Sequence, residues 1–192
     1  MSDAPPDAPR RGRPKDSERG AKRARILDAA VTRFIDAGFG RTSIDDIAAD
    51  ARVTKRTIYT SFGDKAELFT SAIERFRLET LAAAEPDETL GQLAARIVYS
   101  LHSDEAVGLH RLMIAESPQF PELAAAFFAS GPQGYIDLVS ARIEDPERAE
   151  ALVALLLGER HRQRLLGLTA APTRAEATAH AQRALRLLGI AG

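Results

Sequence analysis

The stretch Thr42-Ser43-Ile44-Asp45-Asp46-Ile47-Ala48-Ala49-Asp50-Ala51-Arg52-Val53-Thr54-Lys55-Arg56-Thr57-Ile58-Tyr59-Thr60-Ser61-Phe62 decides the fold. It reads as two short helices around a tight break. Thr42 with Asp45, or Ser43 with Asp46, has the spacing of a capping box, in which a hydroxyl and a carboxylate satisfy free N–H groups at a helix start. The first helix ends near Ala51, Arg52-Val53 makes the break, and the second runs from Thr54 to about Ser61. Ile58 and Phe62, at i and i+4, share the face that grips the rest of the domain. Lys55 and Tyr59 share another face and Arg56 and Thr60 a neighbouring one, so the polar side points outward.

Outward from this pair the chain reads as all-helical. No period-2 alternation marks a strand and no fixed-period repeat is present. A helix over 17–37 is expected before the pair, with Ile26, Ala30 and Phe34 on one stripe and Gly38 as its left-handed stop. Asp64-Lys65-Ala66-Glu67 repeats the cap spacing and opens a fourth helix that fades near Ala84. Five more are expected over 88–102, 105–116, 120–141, 146–168 and 173–189, with Gly131-Pro132 kinking or splitting the third of these. The last two are expected to pair as an antiparallel hairpin across Ala171-Pro172. The organisation is a Pro- and Arg-rich disordered arm (1–16), a small three-helix unit (17–65) and a larger helical body (66–192).

At 192 residues the chain is long enough to bury a core without disulfides. Cysteine is absent, which excludes thiolate metal sites and cysteine nucleophiles. The longest apolar run, Ala151 to Leu157, is far too short to span a bilayer, and the N-terminus has no apolar signal region, so no membrane partner and a cytoplasmic protein are expected. The net charge of -1 hides an asymmetry. Residues 1–65 hold fourteen Lys and Arg against ten Asp and Glu, while the remainder holds twelve against seventeen. A basic end on an acidic body suggests a polyanionic partner.

Two short helices around a break of this length form a helix-turn-helix, whose second helix enters the major groove of double-stranded DNA. Lys55 and Arg56 suit guanine edges, Tyr59 a thymine methyl or a phosphate, and Thr57 and Thr60 are further candidates for base contact. Thr42, Ser43, Thr54, Ser61 and Lys65 are candidates for the DNA backbone, because helix N-termini and fixed cations bind phosphate. In the arm, Arg10-Arg11-Gly12-Arg13-Pro14-Lys15 resembles an AT-hook, which implies that Arg11 and Arg13 enter a minor groove.

The run Tyr59-x-x-Phe62-x-x-Lys65-x-x-Leu68, with Thr42 to Ala48 and Val53 to Tyr59 before it, resembles the N-terminal signature of the tetracycline-repressor (TetR) family. One position departs: the turn is Ala51-Arg52-Val53, where that family usually has glycine in the middle. Either the turn differs here or arginine bears a left-handed strain of ~1 kcal/mol or more. Arg56 likewise stands where many relatives have a small residue. Farther on, Arg111 to Glu116, Phe120 to Leu123 and Phe127 resemble the AefR-like regulatory domains. The resemblance implies an N-terminal helix-turn-helix domain and a larger C-terminal helical domain that binds a ligand and forms a homodimer.

For the body, Met113, Phe120, Phe127 and Tyr135, with His102 and His161, are candidates to line a small-molecule pocket, and plain core is the competing reading for each. No metal is expected, since no His-Glu-x-x-His spacing occurs, and no cofactor, since no glycine-rich phosphate loop occurs. Ser117 and Ser130 lack a nucleophile elbow, so no enzyme is expected. The function that follows is a homodimeric regulator, most simply a repressor, that binds a palindromic operator and is released by a small apolar effector. The alternatives are a regulator whose body only dimerises, and a helical enzyme or small-molecule carrier whose body does the work.

Overall fold

The computed structural model describes residues 14–82 and 87–190, and among them every regular element is a helix. In chain order these are α1 (Pro14–Ala37), α2 (Ile44–Asp50), α3 (Lys55–Phe62), α4 (Lys65–Ala82), α5 (Leu90–Leu101), α6 (Asp104–Glu116), α7 (Pro121–Ser130), α8 (Pro132–Ile143), α9 (Pro146–Leu165) and α10 (Arg174–Leu187). Helix α1 begins at Pro14, three residues ahead of the expected start, because proline at a first helical position gives up no hydrogen bond. The rest of the expected arm, with Arg11 and Arg13, lies outside the described residues. The helix expected over 120–141 is two helices, since Pro132 has no N–H to donate and Gly131 leaves helical geometry (φ -104°, ψ -90°).

Two cores hold the molecule. The first gathers Ile26, Ala30 and Phe34 of α1, Ile47 of α2, Ile58 and Phe62 of α3, and Leu68, Phe69 and Ala72 of α4. Phe34, Phe39 and Phe69 meet ring to ring, with centroids 5.4–5.9 Å apart. Leu109, Leu112 and Met113 of α6 and Leu123 of α7 complete this core, so the packing runs on across position 65 instead of stopping there. The second core joins α5, α8, α9 and α10 through Leu93, Ile97, Tyr135, Val139, Leu152 and Leu156.

The expected α9–α10 hairpin is replaced by a different pairing. Helix α10 packs chiefly on α5 and only secondarily on α9, while α9 packs chiefly on α8. Small residues explain the close approach of α10: Ala177, Ala181 and Ala184 form one buried stripe. Helix α9 is bent at Gly158, whose φ of 57° and ψ of -161° are open to glycine alone at little cost.

Candidate functional site

The turn between α2 and α3 is built from local chemistry. Ser43 caps α2: its hydroxyl accepts from Asp46 N (3.1 Å), and Asp46 accepts from Ser43 N (3.2 Å), which selects the second of the two cap pairings the spacing allowed. The Ser43 hydroxyl also donates to the Asp46 carboxylate (2.6 Å), and that bond, then the one from Ser43 N, holds the Asp46 carboxyl below the usual carboxylate range. Thr54 caps α3 by accepting from Thr57 N at 3.2 Å, and the two threonine hydroxyls lie 3.0 Å apart. Thr57 is therefore half-buried and engaged in the cap. Between the helices Arg52 has φ 52°. The strain anticipated from the missing glycine is thus taken up by the arginine backbone, and the turn keeps its left-handed form.

Helix α3 divides as its spacing requires. Ile58 and Phe62 are buried, while Lys55, Arg56, Tyr59, Thr60 and Ser61 are exposed. Tyr59, at 52% exposure, is a large aromatic outside the core, which is unusual for a side chain of its size. Lys55 is held on the outer face by Asp45 of α2 (3.1 Å), an exposed pair that costs little to open. From α1, Arg23 donates to the Ser61 carbonyl (3.2 Å) and lies over the Phe62 ring (4.3 Å), so it borders the same face. Sequence reasoning passed over Arg23, which stands 38 residues before Ser61 in the chain and is brought to this face only by the packing of α1.

Two of the expected phosphate contacts are occupied elsewhere. The Lys65 ammonium donates to the carbonyls of Phe39 (2.8 Å) and Thr42 (3.0 Å) and sits over the Phe39 ring (4.5 Å). Its removal from water lowers its pKa. Thr42 is buried, and its hydroxyl donates within the Arg33 and Gly38 carbonyl pair (3.1 and 2.7 Å). Both residues tie the α1–α2 loop to the start of α4. That start has its own reciprocal cap, in which Asp64 accepts from Glu67 N (2.9 Å) and Glu67 accepts from Asp64 N (2.8 Å). The expected contacts at Ser43, Thr54 and Ser61 remain exposed.

In the body, a narrow cavity of ≈ 60 Å³ lies among α4, α6, α8 and α9, with Leu101 of α5 and Phe127 of α7 at its walls. Of the residues expected to line it, Phe127, Tyr135 and His161 do so, joined by Ile73, Phe76, Arg77 and His110. Met113 belongs instead to the first core. Phe120 leaves the cavity to meet Phe39 edge-on, at 5.1 Å between centroids, where it bridges body and head. His102 is buried behind the cavity wall, donating from Nε2 to the Leu156 carbonyl (3.1 Å).

All four histidines of the chain prove to be neighbours, which their spacing did not reveal. His110 Nδ1 and His161 Nε2 share a hydrogen bond of 2.9 Å at the cavity wall. The His102 ring lies 5.2 Å from His161 and 5.9 Å from His180. His180 Nε2 donates to the Leu155 carbonyl (3.0 Å), so the turn of α9 before the Gly158 bend is held by one histidine on each side. Burial holds His102 and His161 neutral, pushing both down to about 4, and lowers His110 in the same sense. No cluster of metal-binding geometry occurs among the described residues, and no described helix is long and apolar enough to cross a membrane.

Comparison with known proteins agrees with this geometry. Residues 26–72 match the family described as "Bacterial regulatory proteins, tetR family", and residues 88–189 match "AefR-like transcriptional repressor, C-terminal domain". A helix-turn-helix transcriptional repressor of Streptomyces coelicolor is 32% identical over 67% of this chain, and the chain spans 66% of that repressor's length. A TetR-family regulator of Mesorhizobium loti superposes with a TM-score of 0.66 at 26% identity, over 88% of this chain and 95% of that one. A flavonoid-responsive regulator, FrrA, superposes with a TM-score of 0.68 at 27% identity and the same coverage. The two matched segments together take in most of the chain, and it belongs to the TetR family of DNA-binding transcriptional regulators, with an AefR-like C-terminal domain.

Proposed function

We propose that the protein acts as a homodimeric repressor that binds a palindromic operator and is released by a small, largely apolar effector. The observation that carries this reading is the outer face of α3, where Lys55, Arg56, Tyr59 and Thr60 stand exposed together on a helix anchored by Ile58 and Phe62. Ser43, Thr54, Ser61 and Arg23 flank that face as backbone contacts, while Thr42 and Lys65 hold the loop behind it. One helix-turn-helix per chain reads half a site, and a two-fold dimer reads two half-sites ~34–36 Å apart. Leu166, Leu168 and Leu187, 69–73% exposed around the ends of α9 and α10, supply apolar surface for such a pairing.

The route from cavity to DNA runs through two helices. Helix α4 lines the cavity with Ile73, Phe76 and Arg77 and begins at the Lys65 clamp. Helix α6 lines it with Leu109 and His110 and ends at Glu116, which packs so closely on Gly38 that a Cβ there would meet its carboxylate at 2.8 Å. A ligand that wedges α4 from α6 therefore tilts the α1–α2 loop and with it α3. A coupling of about 1–3 kcal/mol between the sites suffices to release DNA.

The test is selection of duplexes from random-sequence DNA by the purified full-length protein. Enrichment of an inverted repeat is expected. Binding without enrichment would reduce α3 to a phosphate-binding surface and overturn the operator reading.

A further inference from the structure

Among the described residues the cavity carries one fixed charge. Of its fourteen described lining residues Arg77 is the only charged one, and none is an aspartate or glutamate. Arg77 also has no hydrogen bond or ion pair among the described residues. Its half-buried counterparts do: Arg75 pairs with Asp28 (2.7 Å), Arg96 with Glu88 (2.6 Å) and Arg160 with Glu176 (3.5 Å). Partial burial of a guanidinium costs solvation, which the fold recovers elsewhere by pairing. At Arg77 the described protein provides no such partner.

The position of Arg77 is specifically accommodated. A Cβ on Gly134 of α8 would lie 2.7 Å from Arg77 Cδ and 3.1 Å from its Nε. The glycine thus leaves the gap through which the side chain passes along α8, beside Pro132 and Tyr135 of the cavity lining. The other walls, Ile73, Phe76, Leu109, Phe127 and Val153 among them, are apolar. His110 and His161, held neutral by burial, offer a hydrogen bond and no charge.

We propose that the effector is an amphipathic monocarboxylate, with an alkyl or aryl body among these walls and its carboxylate on the Arg77 guanidinium. Charge-assisted, two-point pairing with a planar guanidinium favours a carboxylate over a neutral or cationic head. The assignment rests on the cavity being the effector site and names the chemistry that site selects.

Octanoate and 4-phenylbutyrate, each beside its alcohol and its amine, are to be titrated into the full-length protein by calorimetry and thermal shift. The carboxylates are expected to bind about ten- to a hundredfold more tightly than the alcohols, the gain of a hydrogen bond to a charged group. Arg77→Gln should erase that preference and leave alcohol binding unchanged. Gly134→Ala, which keeps the charge but displaces it, should narrow the preference. Equal binding of acid and alcohol, or a preference that survives Arg77→Gln, overturns the carboxylate assignment while the cavity stands. An amine that binds tightest overturns it in sign. No binding by any probe to the folded protein overturns the cavity reading together with the head-group assignment.

Discussion

The α2–α3 pair and the cavity of the body are each made by a handful of side chains, but over very different spans of chain. Ser43 meets Asp46 three residues on, and Thr54 meets Thr57 at the same separation. His110 meets His161 across 51 residues, and His102 meets Leu156 across 54. The first kind of contact is specified by helical periodicity. The second depends on how α4, α6, α8 and α9 come to rest against one another. The difference also appears in what each region leaves unsatisfied. The head exposes its polar face to solvent, whereas the body buries histidines and holds them neutral.

The largest effect tests whether these regions are separable. Phe34→Ala removes the ring that meets both Phe39 and Phe69 and should cost about 3–5 kcal/mol. Because the first core includes α6 and α7, chemical denaturation should remain a single transition at lower midpoint. A head that unfolds first, leaving the body's helical signal intact, would break the comparison in favour of independent units.

The second test is acid. His102 and His161 sit at about 4 in the fold and near 6.5 when unfolded. Between those values the unfolded chain holds more protons, so stability present above pH 6.5 is lost as pH falls toward 4. Each such histidine removes about 1.4 kcal/mol per pH unit in that window. Arg160, Arg164 and His180 face the same cluster and act in the same direction. Melting temperatures should fall steadily from pH 6.5 to 4.5, and a flat profile would mean that the cluster is charged in the fold.

Two lysines sharpen the contrast within the head itself. Lys55→Ala, like Tyr59→Ala, should weaken DNA binding by about 1–3 kcal/mol and relax base preference, with stability intact. Lys65→Met should do the reverse, costing about 1–3 kcal/mol of stability by leaving the Phe39 and Thr42 carbonyls short of a donor. The salt dependence of DNA binding should stay unchanged in Lys65→Met. A shallower slope would return Lys65 to the phosphate-contacting set.

The smallest effect is a gain. Arg52→Gly relieves the φ of 52° and should stabilise the protein by about 1 kcal/mol, less the added freedom of the unfolded chain. An unchanged or lower melting temperature would show that the Arg52 side chain offsets its own backbone strain.

What the sequence determined alone is the part governed by nearest neighbours along the chain. Caps at Thr54 and Asp64, a cap at Thr42 or Ser43, the inward pair Ile58 and Phe62 and the outward Lys55 and Tyr59 all follow from residue type at fixed spacing, since a helix repeats every 3.6 residues whatever surrounds it, while the strain at Arg52 was raised by the family resemblance. Tertiary structure decided the rest. Lys65 reads as a free cation until the α1–α2 loop folds back over it and takes its protons into three-dimensional use. Met113 and Phe120 read as cavity lining until α6 and α7 place them against the head. The alanine stripe of α10 fits a helix without naming it, and only the assembled fold sets it chiefly against α5 and less against α9. The four histidines carry no mutual spacing and become a cluster only when four segments converge. Burial, pairing and the resulting pKa shifts are properties of surroundings, and those surroundings come from residues twenty or more positions away.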